Sequence, residues 1–269
     1  MYDIADEERV IEVPASLPPM IKTETRERIA TIELARPEKK NALTAAMYAA
    51  MTDTLATAEA DPGVRAIVIH GTRDCFTAGN DLKDFLQGPA GASQALRFVS
   101  ALSKVGKPVV AAVGGPAVGI GTTLLLHCDL VYAAPGARFQ LPFVPLGLVP
   151  EAASSLLLPR IAGYARAAAW LLLGQAFTAA EALAAGIVTE IVPEQTLLER
   201  ARAAAAALAA LPPESVRLTK QLMKQPVAAQ VAEQMAEEAR LFAGRLQSAE
   251  AKEAMAAFIE KRKPDFSRF

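Results

Sequence analysis

The sequence predicts an α/β protein in which helices cover both faces of a mostly parallel sheet. Two runs, 64–70 (VRAIVIH) and 108–113 (PVVAAV), are almost wholly apolar, as expected of strands buried on both faces. Helical patterns at 45–60 and 93–103 alternate with them, and this alternation is typical of a parallel sheet. A chain of 269 residues suffices for one large domain, or for a core with a smaller appendage.

The first half of the chain supplies the predicted sheet and its covering helices. Alternating residues predict a hairpin, and Thr44 is a suitable N-cap for the helix that follows it. The predicted elements are hairpin strands over 21–27 and 28–34, helix 45–60, strand 64–70, helix 93–103, strand 108–113, helix 121–128, and short strands over 129–133 and 138–140.

The last third of the chain is mainly helical. Thr178 and Glu181 have the spacing of a capping box, and Gly186 ends that helix. A strand over 187–192, a helix over 194–211 and two further helices follow. We therefore expect a core over residues 1–205, beginning with an extended arm over 1–20, and a helical subdomain over 206–269.

Composition excludes several functional classes. The net charge is −1 with no basic stripe, which argues against nucleic acid as a partner. No apolar stretch reaches the length of a membrane span, and the acidic start lacks the features of a secretory signal. Two cysteines and two histidines give no disulfide framework and no metal-ligand spacing. We expect a cytoplasmic protein with no metal and no membrane partner.

Glu151 is the most informative single residue. It is the one acidic residue between Asp129 and Glu181, and its neighbours are apolar, small or proline. Burial in such surroundings raises a carboxyl pKa towards the range of a useful general base. The alternative is an acid in the first turn of a helix, where it favours the helix dipole.

Two glycine-containing loops follow the buried strands, over 71–84 and 114–123. Such loops present backbone N–H groups at helix starts, and two converging loops supply two donors to one oxyanion. The alternatives are plain: small residues allow close helix–sheet packing, and Asp81 is a suitable N-cap for a helix over 82–86.

Taken together, these segments resemble the enoyl-CoA hydratase/isomerase (crotonase) superfamily over residues 25–265. The matching segments, in order, are Arg36 to Leu43 (RPEKKNAL), Cys75 to Leu82 (CFTAGNDL), Lys107 to Val113, Gly115 to Gly121 (GPAVGIG), Cys128-Asp129, Gly174 to Ala179, and Glu181 to Val192. The resemblance implies a spiral core of ββα units, a C-terminal helical region that forms trimers, and an acyl-CoA thioester as substrate.

The resemblance also implies roles for particular residues. The backbone N–H groups of Ala78 and Ile120 are expected to form the oxyanion hole. Residues expected to contact CoA are Asn41, Ala42, Leu43, Asp81, Leu82, Phe258 and Lys261. Aliphatic and aromatic residues expected to line the acyl pocket, unless they serve only as core, are Leu141, Phe143, Val144 and Leu146.

Departures from the family pattern narrow the chemistry. Hydratases of the family hold a water between two glutamates, and Thr123 and Phe143 occupy those two positions here. The chain is instead similar to peroxisomal-type Δ3,Δ2-enoyl-CoA isomerases, which have a single glutamate in a Pro-Glu-Gly-x-Ser-Ser context. The corresponding segment is 150–155 (PEAASS), with Ala152 in place of the frequent glycine.

These residues predict an isomerase that moves the double bond of a 3-enoyl-CoA to the 2-position, with Glu151 as the single proton carrier. No cofactor is expected beyond the CoA of the substrate, and the assembly is expected to be a homotrimer or a dimer of trimers. The alternatives are an atypical hydratase that uses Glu151, another acyl-CoA enzyme of the superfamily, and a non-catalytic acyl-CoA-binding protein. Dehalogenation is disfavoured because His70 and His127 are poorly placed for it.

Overall fold

The computed structural model describes residues 20–81 and 89–269, with the backbone alone for 89–92. The predicted arm, apart from Met20, and Leu82 lie outside these ranges. The strands are β1 (Ile21–Arg26), β2 (Ile29–Leu34), β3 (Ala66–His70), β4 (Val109–Val113), β5 (Pro116–Val118), β6 (Leu130–Ala133), β7 (Arg138–Gln140), β8 (Phe177–Thr178) and β9 (Glu190–Ile191). The α-helices are α1 (Ala45–Ala60), α2 (Pro89–Lys104), α3 (Ile120–Thr123), α4 (Ser154–Ala162), α5 (Tyr164–Leu172), α6 (Ala179–Ala185), α7 (Leu197–Ala210), α8 (Pro213–Leu246) and α9 (Ala249–Ile259).

The main sheet has six strands in the order β1-β2-β3-β4-β6-β9. The β1–β2 hairpin is antiparallel, and every later pair of neighbours is parallel. All residues of β3 and β4 are buried, which explains why both strands appear in the sequence as continuous apolar runs. The predicted parallel α/β sheet is confirmed.

Helices cover both faces of this sheet. On one face, α7 contributes Ala201 and Ala205 to a cluster with Val68, Val110 and Tyr132. On the other face, α1 and α2 pack together over the larger core cluster, which includes Phe76 and Phe98. The small residues of α7 allow it to lie close to the strands, so its alanine-rich sequence reflects packing.

A second sheet consists of β5, β7 and β8. We did not predict β5, because three residues behind a Gly-Gly pair are too few to show a period. The predicted helix over 121–128 is α3 followed by a 3₁₀ segment, and the predicted strand over 187–192 is only β9. The capping box of Thr178 and Glu181 is confirmed at the start of α6.

The C-terminal region is a long helix, α8, followed by α9. The Lys220 ammonium joins α8 to the core by donating to the Asp129 carboxylate at 2.6 Å and to the Lys107 carbonyl at 2.7 Å. The predicted boundary at 205/206 falls inside α7, which ends at Ala210, so we propose a boundary at 211–212 instead. In the described ranges, no helix is long and apolar enough to cross a membrane.

Candidate active site

A cavity of about 1030 Å³ lies between the loops of the core and the C-terminal helices. Its wall is mostly apolar, and the basic residues Lys39 and Arg262 also line it. Among the residues that we predicted for the site, those that line it are Ala42, Ala78, Asp81, Ile120, Phe143, Leu146 and Phe258. The loops and the C-terminal helices therefore contribute to one cavity, as the resemblance implied.

The loop over 114–123 presents the backbone N–H of Ile120 to the cavity. Ile120 is the first residue of α3, where a helix has no internal acceptor for an N–H. In the described part of the chain this N–H has no hydrogen-bond acceptor. The preceding residue, Gly119, has φ 56° and ψ −119°, a conformation that only glycine adopts readily. This glycine therefore sets the direction of the donor.

In the loop that follows β3, the N–H group available to a ligand differs from the one that we predicted. The N–H of Ala78 already donates to the Lys40 carbonyl at 2.9 Å, so a substrate could receive it only if that bond broke. The N–H groups of Gly79 and Asp81 are also engaged, with the Thr77 hydroxyl and the Leu43 carbonyl.

Within the described residues, the N–H of Asn80 has no acceptor, and Asn80 lines the cavity. The side-chain oxygen of Asn80 accepts a hydrogen bond from the Tyr48 hydroxyl, which holds this side chain in place. Backbone hydrogen bonds of Phe76 and Thr77 with β5 bring this loop beside the one that carries Ile120. In this loop the N–H that is available to a ligand is therefore that of Asn80 and not that of Ala78.

Glu151 precedes α4 and lies against α3. The Thr123 hydroxyl donates to its carboxylate oxygen at 2.5 Å. Burial raises the pKa of Glu151 to about 7, the Thr123 hydrogen bond opposes that rise, and the charge of Glu238 adds to it. Glu151 is not among the residues that line the cavity; its carboxylate sits one turn of α3 beyond Ile120. A pKa near 7 suits a group that accepts and returns a proton near neutral pH.

The resemblance places Thr123 and Phe143 where hydratases of the family have glutamates. Thr123 is fully buried and contacts Glu151, whereas Phe143 is 6% exposed in the cavity wall. Neither side chain ionises near neutral pH, so neither can serve as a general acid or base. Glu151 is therefore the acid–base group that the described residues place next to α3.

Asn41 and Leu43 support the site from outside the cavity. The Asn41 amide is fully buried and donates to the Cys75 and Phe76 carbonyls at 3.0 and 3.2 Å. These hydrogen bonds connect the 41–43 segment to the loop that follows β3. Leu43 is 1% exposed, and its backbone pairs with the segment that carries Asn80. Of the three residues of this segment that we predicted to flank CoA, the structure places only Ala42 in the cavity wall.

Asp81 pairs with Arg36, a residue that we did not predict for the site. The guanidinium donates to the Asp81 carboxylate at 2.7 Å and to the Ala42 carbonyl at 2.9 Å, so it joins both sides of the cavity entrance. The predicted cap on a helix over 82–86 lies outside the described residues. The sequence shows that Arg36 and Pro37 follow the hairpin, but it does not show that Arg36 pairs with Asp81.

Two C-terminal predictions have different outcomes. Phe258 of α9 lines the cavity although 63% of its surface is exposed, while Lys261 does not line it. Helix α9 also contributes Met255, and α8 contributes Phe242, neither of which we predicted. Both lie on helices whose apolar residues look like ordinary core in the sequence.

Two buried histidines have structural roles. The His127 ring contacts the Ala152 carbonyl at 2.9 Å, and burial lowers its pKa to about 4. His70 contacts the Gly71 carbonyl at 2.8 Å, and burial lowers the pKa of its ring. Neither histidine lines the cavity described above.

Comparisons with known proteins agree with this architecture. A family model described as enoyl-CoA hydratase/isomerase matches residues 24–268. An enoyl-CoA hydratase/isomerase structure from Pseudoalteromonas atlantica superposes with a TM-score of 0.89 at 44% identity, covering 92% of this chain and all of that one. The structure of Pseudomonas aeruginosa OdaA has a TM-score of 0.85 at 47% identity, covering 90% of this chain and 99% of that one.

Curated relatives have two kinds of name. Enoyl-CoA delta isomerase 2 of Rattus norvegicus is 41% identical over 73% of this chain, which spans only 52% of the rat protein. Probable enoyl-CoA hydratase echA8 of Mycobacterium bovis is 34% identical over 92% of this chain and 97% of its own length. The fold is that of the crotonase superfamily, and this chain belongs to the enoyl-CoA hydratase/isomerase family.

Proposed function

We propose that this protein is an isomerase that converts a 3-enoyl-CoA into the conjugated 2-enoyl-CoA. The observation that carries the proposal is the Glu151–Thr123 pair. Glu151 is a half-buried carboxyl group with a pKa of about 7 that accepts a hydrogen bond from the Thr123 hydroxyl, and the resemblance places Thr123 where a hydratase has the first of its two glutamates. A shift of a double bond needs one proton taken and one returned, and one carboxylate performs both steps.

The reaction starts with the thioester oxygen between the N–H groups of Asn80 and Ile120. The Glu151 carboxylate removes a proton from C2, and the electron pair of that C–H bond delocalises over the thioester and the double bond as a dienolate. The protonated Glu151 then returns its proton to C4, which leaves the double bond between C2 and C3. Each N–H donor contributes about 3 kcal/mol to the stabilisation of the dienolate.

The cavity suits the rest of such a substrate. Its apolar wall, with Phe143 and Leu146, accepts an acyl chain, and Lys39 and Arg262 near the entrance provide positive charge for the phosphates of CoA. We expect no cofactor other than the CoA of the substrate. We also expect a homotrimer or a dimer of trimers located in the cytoplasm.

An atypical hydratase is the second candidate, because relatives named as hydratases match over nearly their whole length. In that reaction Glu151 would activate a water that adds to C3 of a 2-enoyl-CoA. The absence of a second carboxylate at Thr123 and Phe143 makes this reaction slower than the isomerisation.

Glu151→Gln tests the proposal. With a 3-enoyl-CoA as substrate, we expect the variant to lose about 10²- to 10⁴-fold in kcat, measured as the rise in absorbance of the conjugated thioester. Glu233→Gln, an exposed change on α8, is the control and keeps wild-type activity. A Glu151→Gln protein with near wild-type turnover contradicts the mechanism. Faster loss of absorbance with crotonyl-CoA than gain with a 3-enoyl-CoA would favour the hydratase.

A further inference from the structure

A buried carboxylate on α8 reaches under the turn that follows Glu151. Glu238 is 3% exposed, and its two oxygens accept from the N–H of Ala153 at 2.6 Å and from the N–H of Ser155 at 3.0 Å. The Ser155 hydroxyl donates to the same carboxylate and accepts from Gln234 at 2.9 Å. These donors belong to the start of α4, so Glu238 caps this helix from a distant part of the chain.

The capped turn is strained, so the hydrogen bonds that it donates to Glu238 help to hold its conformation. Ala152 and Ala153 both have positive φ, 63° and 55°, in the left-handed region that disfavours residues with a Cβ. Two such residues in succession persist only where neighbouring contacts hold them. The contacts here are those of Glu238 with Ala153 and Ser155, and that of the His127 ring with the Ala152 carbonyl. Without the Glu238 carboxylate, the strained conformation of the turn loses part of its stabilisation.

The turn determines where Glu151 sits. The Ser154 N–H donates to the Glu151 carbonyl at 3.1 Å, so the backbone of Glu151 is part of the same turn. A change at Ala152 or Ala153 would move the Glu151 carboxylate relative to Thr123 and α3. Small displacements of a reacting group lower rates strongly, because proton transfer needs close approach.

We propose that Glu238 is a positioning residue for the reaction proposed above: from α8 it fixes the 152–155 turn and thereby aims the Glu151 carboxylate. The inference rests on Glu151 being the proton carrier. Glu238 itself does not line the cavity and does not touch the substrate. The helix that the sequence marks as a C-terminal appendage thus supports the catalytic turn of the core.

The same arrangement has an electrostatic effect. Of the charged groups in the described residues, Glu238 is the one that acts on the pKa of Glu151, and it raises it. The groups that face Glu238 are the donors of Ala153 and Ser155, and burial raises its own pKa. The neighbouring His127 is neutral near pH 7, and its carbonyl accepts from the Lys224 ammonium at 3.1 Å. Removing the charge at 238 therefore lowers the pKa of Glu151.

Glu238→Gln separates positioning from general stability. It removes the charge but leaves an amide oxygen to accept hydrogen bonds, and Glu233→Gln on the exposed face of the same helix is the matched control. We expect kcat for 3-enoyl-CoA to fall about tenfold with KM within twofold, since a hydrogen bond to a charged group is being weakened. The acidic limb of the pH–kcat profile should move to lower pH. A folded variant with the wild-type kcat and profile overturns the proposal.

Ser155→Ala provides a second variant that keeps the charge. It removes the hydroxyl donor, so we expect a loss in kcat of about threefold with the acidic limb unchanged. This variant decides the question if Glu238→Gln does not fold, and a wild-type kcat in it counts against positioning.

An infrared titration distinguishes this proposal from the proposed function. The carboxyl band that Glu151→Gln abolishes is followed against pH in the wild-type and Glu238→Gln proteins. A midpoint at lower pH in Glu238→Gln supports the coupling whether or not the protein isomerises 3-enoyl-CoA, and an unchanged midpoint overturns it. Absence of isomerisation by the wild-type protein overturns the proposed function alone.

Discussion

At the scale of single residues, the contact between Thr123 and Glu151 influences the protonation state of the Glu151 carboxyl group. Burial favours the neutral carboxyl group, whereas the Thr123 hydroxyl, which donates at 2.5 Å, favours the carboxylate. The balance leaves the pKa of Glu151 at about 7, so both protonation states are accessible near neutral pH. A group that must first accept and then return a proton needs this balance.

Thr123→Val removes the hydroxyl and keeps the shape of the side chain. Because the hydrogen bond lowers the pKa of Glu151, its loss raises that pKa above about 7 and moves the acidic limb of the pH–kcat profile to higher pH. At pH 7 we expect a loss in kcat of about three- to tenfold, which shrinks as the pH rises. Thr123→Ser retains the hydroxyl and should keep the wild-type limb. An unchanged limb in Thr123→Val would show that the contact does not tune Glu151.

At the scale of elements, the site depends on backbone direction more than on side-chain identity. The sequence located both loops and the Ile120 N–H, which has no acceptor in the described residues, because a glycine directly precedes a helix start there. In the other loop it pointed to Ala78, whose N–H is already engaged, because residue types do not show the direction of each N–H group. That direction follows from pairing with Lys40 on one side and β5 on the other, which residue types do not reveal.

Gly119→Ala tests the role of backbone conformation at the oxyanion hole. A Cβ at Gly119 meets no atom within 4 Å, so the cost comes from the positive φ of 56° alone. We expect a loss of about 1–3 kcal/mol in the free energy of unfolding, measured in urea. We also expect a lower kcat, because Ile120 carries the donor. Gly136→Ala is the matched control: it too has open space but no positive φ, and should be neutral within about 0.5 kcal/mol. Equal effects in the two variants would contradict this account.

At the scale of the whole molecule, alternation of strands and helices was sufficient to predict the parallel sheet. Buried runs such as 64–70 and 108–113 identify themselves by composition. The long-range contacts of the C-terminal helices do not: Glu238 and Ser155 are 83 residues apart, and an acid on a charged helix has no local signal of burial. Its role follows from the packing of α8 against α4, which only the three-dimensional structure reveals.

The surface of α8 is mostly exposed, and we expect part of it to be covered in the proposed trimer. Of this 34-residue helix, only four residues are buried: Lys220, Met235, Glu238 and Phe242. Leu222 and Met223 are 68% and 66% exposed, and Leu173, just beyond α5, is 64% exposed. Burial of each such side chain contributes about 1.5–3 kcal/mol, so an interface here stabilises an assembly considerably.

Leu222→Lys with Met223→Lys tests the expected trimer or hexamer. By sedimentation at micromolar concentration, we expect the wild-type protein at three or six times the 28.4 kDa of one chain and the double variant near the mass of one chain. Charges cannot be buried without a partner, so the substitutions oppose association rather than folding. Ala203→Lys with Ala207→Lys, on the exposed face of α7, adds the same charge elsewhere and should leave the assembly intact. A wild-type protein that sediments as one chain, or a double variant that sediments as the wild type, contradicts an interface on α8.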